Sequence, residues 1–227
     1  MARHLLTSAL IAGVAAGILA ALFQLWLVVP LLLEGELYET GARVHFSTGG
    51  TPSSDAGAPP VWPHLARHAG TVAMNVVTYT AFAFFLVAGF ILARRVGHRV
   101  DARKGAVWGL CAFAAVQLAP AAGLPPELPG TIAADLAQRQ VWWLGCVVAS
   151  GSGIALLAFG RGAAMLAAGA GLLALPHLIG APHIDTHYGT APAELASHFA
   201  ARSLAAGALA WVILGSLAGA LWSRFEH

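Results

Sequence analysis

Charge is scarce in this chain. Charged residues make up 10% of its 227 positions against 58% hydrophobic residues, and the mean hydropathy is +0.74. Soluble domains carry about a quarter charged residues, so a water-facing globule is excluded. Cysteine is nearly absent. Cys111 and Cys146 both fall inside apolar runs, where their spacing implies neither a disulfide framework nor a thiolate metal centre; small buried apolar residues are the better reading of both. A soluble domain is absent as well. The longest connector, Glu34 to His68, is too short and too rich in Gly, Pro and Ser to bury a core. Two catalytic signatures are missing: no G-x-x-x-x-G-K-[ST] run cradles a nucleotide, and no His-Glu-x-x-His pair arms a metal hydrolase. The expectation is a protein that is not an enzyme, and any use of ATP would need another subunit.

Long apolar runs are what the chain has in abundance. Six of them cover Leu5–Leu33, Ala69–Ala93, Gly105–Ala122, Val141–Phe159, Ala163–Ala181 and Ala200–Trp222. A hydrocarbon core about 30 Å thick needs ~20 helical residues, and backbone groups in lipid must bond within their own segment. The fold expected is all-α: a polytopic helical membrane bundle with six transmembrane helices, residues 1–227 forming one transmembrane domain. Five crossings are the alternative, because only Gly160-Arg161-Gly162 separates the fourth and fifth runs. The first run follows a short charged start and continues far past the length of a signal-peptide core, which reads as an uncleaved anchor.

Charge sets the orientation. With six spans and a cytoplasmic amino terminus, Arg3, Arg94, Arg95, Arg99, Arg103, Lys104, Arg161 and Arg224 lie inside, opposed only by Asp101 and Glu226. Outside are Arg43, Arg67, Arg139 and Arg202 against Glu34, Glu36, Glu39, Asp55, Glu127, Asp135, Asp185 and Glu194. This follows the positive-inside rule and puts both termini in the cytoplasm. The outer segments are then 34–68, 123–140 and 182–199. Nucleic-acid binding is not expected, since the basic cluster has a topological explanation.

Histidine sharpens the outer face. His45, His64, His68, His177, His183, His187 and His198 lie in or beside outer segments, whereas His4, His98 and His227 lie inside. Imidazole with carboxylate, and no thiolate, suits divalent cobalt, nickel, zinc or manganese. His64 and His68, four apart, share a helix face and can chelate one ion; an interfacial helix end would look the same. His177 sits in Pro176-His177-Leu178-Ile179-Gly180-Ala181-Pro182, where the fifth span is expected to break, and backbone unwound at that depth must line a covered cavity. His183, two residues before Asp185 and four before His187, follows in a loop. Candidate metal ligands are therefore His177, His64, His68 and His183, with Glu127, Glu36 and Glu34 as the anionic rim. Gln24, Asn75, Gln117, Arg139 and Gln140 lie at a common depth in the outer half and suggest one polar vestibule, although helix–helix hydrogen bonding explains Gln24 and Asn75 equally well. Trp142 and Trp143 read as an interfacial aromatic belt.

Several of these segments together resemble a known family. They are Val29-Pro30-Leu31-Leu32-Leu33-Glu34-Gly35-Glu36-Leu37-Tyr38-Glu39, Gly123-Leu124-Pro125-Pro126-Glu127-Leu128-Pro129-Gly130, Arg139-Gln140-Val141-Trp142-Trp143, Leu175 to Pro182, and Ala191-Pro192-Ala193-Glu194-Leu195. The chain is similar over nearly its whole length to the CbtA family, membrane subunits of a predicted cobalt transporter associated with cobalamin metabolism. The resemblance implies Co²⁺ uptake across a bacterial inner membrane, with Ni²⁺ as a second candidate cargo. It also implies a small single-span partner, CbtB, with a histidine-rich tail. No resident cofactor is expected. The alternatives are a non-transporting scaffold or assembly subunit and, less favoured, a metal-dependent membrane enzyme.

Overall fold

The structure, a computed structural model, describes residues 2–45, 59–186 and 188–224. It is all-helical, with 77% helix and no strand among the described residues. Each apolar run coincides with a helix. The first folds as α1 (Ala2–Phe23), a π segment (Gln24–Val28) and α2 (Val29–Glu39); the second is α3 (Leu65–Arg95). The third is α4 (Ala102–Phe113), a second π segment (Ala114–Leu118) and α5 (Ala119–Ala121). Then come α6 (Leu136–Phe159), α7 (Ala163–Ile179) and α8 (Ala193–Arg224). Among the described residues four stretches are long and apolar enough to cross a bilayer: Leu5–Glu39, Leu65–Arg95, Leu136–Phe159 and Ala193–Arg224. The other two runs form the three-piece α4–α5 helix and the 17-residue α7.

Two expectations about boundaries change. The first helix does not stop at Leu33 but carries on to Glu39, so Glu34, Glu36 and Glu39 are helical residues rather than loop carboxylates. Glutamate is a good helix former, so its charge alone does not end a helix. The fifth run does not break at Pro176: α7 continues through it and ends at Gly180, whose φ of +86° only glycine adopts freely. Proline that close to a C-terminus costs one internal bond. Ordinary helix geometry survives around it.

The chain divides into two compact units. One comprises Met1–Val28, Val61–Phe113 and Ala205–His227. In it Ala9, Ala12, Ala16 and Ala20 form a fully buried stripe on α1, and Gly13 and Gly17 let its backbone lie against Thr80 and Val76 of α3. A second glycine crossing joins α4 to α8, with Gly105 against Gly215 and Gly109 against the Trp211 carbonyl. Lipid is as apolar as leucine, so helices in it associate through such close small-residue packing. Trp211 stacks on Phe82 at 4.5 Å, and Phe90 stands edge-on to Trp108 and Trp222.

The other unit comprises Val29–Pro60 and Ala114–Leu204. Its centre is the antiparallel hairpin of α6 and α7, turning at Gly160–Gly162, where Gly162 has a φ of +85°. Gly153 and Gly169 face each other across the hairpin, and further along it the Trp142 indole donates to the Pro176 carbonyl at 3.2 Å. Asp135 caps α6 by accepting from the Gln138 amide at 3.0 Å. At the open end the two loops meet, since the Ile132 amide donates to the Tyr188 carbonyl at 3.0 Å and Thr131 bridges Gly189.

Candidate functional site

The candidate residues fall in both units. In the first are His64, His68, Gln24 and Asn75; in the second are His177, His183, Glu34, Glu36, Glu127, Gln117, Arg139 and Gln140. Among the described residues no three His, Cys, Asp or Glu side chains gather to hold a metal ion. His187, and residues 46–58 of the first outer segment with Asp55, lie outside the described residues, as do Glu226 and His227.

His68 is the most constrained candidate. It lies three residues inside α3, is 7% exposed, and its Nε2 bonds to the Val61 carbonyl. A carbonyl only accepts, so Nε2 carries a proton, and in the neutral ring Nδ1 then presents a lone pair. That Nδ1 is buried and has no hydrogen-bond partner among the described residues. His64 is the exposed N-cap residue of α3, making no side-chain cap bond.

Seven residues past His68, on the same face of α3, Asn75 is buried. Its Nδ2 donates to Gln24 Oε1 at 2.9 Å and to the Thr71 carbonyl at 2.8 Å. The pair thus makes a helix–helix hydrogen bond.

In the second unit both candidate glutamates that fall near arginine are held by it. Glu34 Oε1 accepts from Arg43 Nη1 at 2.8 Å, and the Arg43 guanidinium also lies 5.7 Å from the centre of the Tyr38 ring. Glu127 Oε2 accepts from Arg139 Nη2 at 2.9 Å, which fixes the three-proline loop to the start of α6. Arg139, read from sequence as a vestibule residue, therefore acts as a strut. Glu36 is half-buried on α2, and Gln140 is exposed. His177 is exposed in the last turn of α7, its ring edge-on to Trp142 at 6.2 Å. His183 is exposed, with Nδ1 donating to the Ala181 carbonyl at 3.1 Å.

Sequence reasoning did not anticipate the π segments. Each ends two residues before a proline, Val28 before Pro30 and Leu118 before Pro120. Proline has no N–H, so the carbonyl four residues back, of Trp26 and of Val116, loses its usual donor, and the helix widens around the gap. Gln24 and Gln117 lie on these two segments. Gln24 is satisfied by Asn75, whereas Gln117 Oε1 is buried without a partner among the described residues. The signal available in sequence was a glutamine a few residues before an in-span proline, seen twice.

An apolar groove of about 650 Å³ runs along α6 and α7 in the second unit, walled by Val141, Trp142, Gly145, Ala149, Leu175 and Ile179. Gln138 and Cys146 also line it, and none of its lining residues is His, Asp or Glu. Trp142 lines it and bonds to Pro176, so its place is structural and not simply that of a belt residue.

No curated protein and no solved structure is significantly similar to this chain. One protein family matches it, described as probable cobalt transporter subunit (CbtA), over residues 2–223. The match takes in all the helices and both units, and this chain belongs to the CbtA family.

Proposed function

We propose that this protein is the membrane-spanning subunit through which Co²⁺ is taken up across the inner membrane of a bacterium to supply cobalamin synthesis. The observation that carries this reading is the match of residues 2–223 to a family of cobalt transporter subunits, which also implies a partner. The partner proposed is a small single-span CbtB-like chain. Six crossings with both termini cytoplasmic complete the picture, and the outer ends of the helices supply the metal-collecting face.

Chemistry supports that face. Glu34, Glu36 and Glu127 concentrate cations, and His64, His68, His177 and His183 offer borderline nitrogen ligands that replace water on Co²⁺ or Ni²⁺. The two arginine-held carboxylates each give one oxygen to the guanidinium, so an arriving dication competes with Arg43 and Arg139 for them. Cobalt binds most such sites more weakly than nickel, so preference for it must come from geometry and supply.

Radiolabelled Co²⁺ uptake in cells expressing this chain, with and without its partner, tests the proposal. Uptake should rise above that of empty cells and fall in the His64→Ala/His68→Ala/His177→Ala triple variant. Cell cobalt unchanged by the chain, at normal protein level, would instead identify a scaffold subunit.

A further inference from the structure

Resting on the uptake reading above, we infer that His68 binds the cation through Nδ1 and that the Gln24–Asn75 amide pair receives it next. Both stations lie within one unit and on one face of α3.

The argument starts from what a buried imidazole normally does. Buried polar atoms are bonded with few exceptions, and each exception asks for a cause. His68 is 7% exposed, its Nε2 is spent on the Val61 carbonyl, and its Nδ1 lone pair has no donor among the described residues. Leaving a lone pair dry costs on the order of 1–3 kcal/mol, and nothing in the packing of α3 returns it. The arrangement is, however, the one metal-binding histidines adopt: one ring nitrogen donates to a backbone carbonyl, which fixes tautomer and ring plane, while the other faces the metal.

The chemical class follows from the donors. One neutral imidazole nitrogen, followed by an amide oxygen, suits borderline divalent ions such as Co²⁺ and Ni²⁺. Magnesium and calcium prefer an all-oxygen shell. Among the described residues no group of three His, Cys, Asp or Glu forms at His68, so the imidazole is a single strong ligand and the hold on the ion is weak. Weak holding is what conduction requires, because a site must release what it captures.

The next station lies seven residues along α3, about 10 Å at the rise of a helix. Asn75 Nδ2 donates to Gln24 Oε1 and to the Thr71 carbonyl, which leaves Asn75 Oδ1 as the amide oxygen not spent within the pair. Gln24 belongs to the π segment that precedes Pro30, and π turns concentrate at functional sites because they free backbone acceptors.

The test uses the full chain purified into lipid nanodiscs, titrated with Co²⁺ alone and followed by the visible absorption of the ion. His68→Gln is the decisive variant, because its amide can still reach the Val61 carbonyl while nothing replaces Nδ1. We expect Co²⁺ affinity to fall at least about tenfold in it, and Asn75→Leu to lose uptake in cells; full uptake by Asn75→Leu overturns the second station. Wild-type affinity in His68→Gln overturns the inference. The unmodified chain gives an independent reading: in nitrogen-15 histidine-labelled protein, His68 must appear as the Nε2–H tautomer with an Nδ1 resonance broadened by Co²⁺. An Nδ1–H form, or one indifferent to Co²⁺, overturns the inference just as firmly. Wild-type uptake separates the two claims, for cobalt accumulation with an indifferent His68 leaves the transport reading standing, and no accumulation by the wild type removes that reading itself.

Discussion

At the scale of single residues, contact partners decide what a side chain is for, and these are what a linear sequence hides. Glu34 and Arg43 are nine residues apart, Glu127 and Arg139 twelve; nothing in their spacing marks them as pairs, because the turns that join them are set by Gly41 and by the three-proline loop. His64 and His68 were legible as sharing a face, yet one is exposed and the other buried, a difference made by the chain returning at Val61. Glycines were legible only as small. Gly109 meets the Trp211 carbonyl at the α4–α8 crossing, whereas Gly171 on α7 has nothing within 4 Å of where a Cβ would stand. Gly109→Ala should therefore cost about 1–3 kcal/mol by forcing the backbones apart. Gly171→Ala should hold or gain about 0.5–1 kcal/mol, since alanine is the better helix former. Thermal unfolding in one detergent compares them, and equal shifts would mean that the crossing is loose enough to absorb a methyl group.

At the scale of elements, helix existence was fully legible and helix interior was not. An apolar run has no option in lipid but to bond its own backbone, so all six runs became helices. Where they end depends on local chemistry of one or two residues: Gly180 rather than Pro176, Glu39 rather than Leu33. The π segments are the larger surprise. The same device occurs twice, five residues of π helix with a proline two beyond, in the first apolar run and in the third. Transport proteins commonly interrupt corresponding spans in this way around the ion they carry. Pro120→Ala tests whether the second interruption matters. Restoring an N–H at position 120 lets the segment close to α-helix, which removes one residue of slack and turns the Gln117 side by about 100°. The variant should be no less stable than the parent and should take up cobalt more slowly. Unchanged uptake would reduce this π turn to a packing adjustment around proline.

At the scale of the molecule, each unit clusters basic residues at one end, while Arg67 and the Glu127-bound Arg139 lie at the other. In the first, Arg94 and Arg95 close α3 and Arg103 and Lys104 open α4, while His64 and His68 lie at the opposite end of α3. In the second, Arg161 marks the α6–α7 bend, and Glu127, Asp135 and Asp185 lie in the loops at the open end, where Ile132 bonds to Tyr188. Such clustering is what the positive-inside rule would produce if the basic ends faced the cytoplasm, as in the topology proposed above. The Ile132–Tyr188 bond ties the loop before α6 to the loop after α7. In the six-span topology proposed above, these two loops share one side of the membrane. Single cysteines in a Cys111→Ala, Cys146→Ala background read this out at positions 96, 132 and 186. A membrane-impermeant maleimide should label Ile132→Cys and Thr186→Cys in intact cells, and Val96→Cys, 66% exposed in the wild type, only after lysis. Labelling of position 132 without 186 would require the two loops to separate across the bilayer, breaking the hairpin on which the second unit is built. Labelling of position 96 in intact cells, with 132 and 186 protected until lysis, would invert the charge rule, and with it the proposed placement of the acidic, histidine-bearing ends toward the medium.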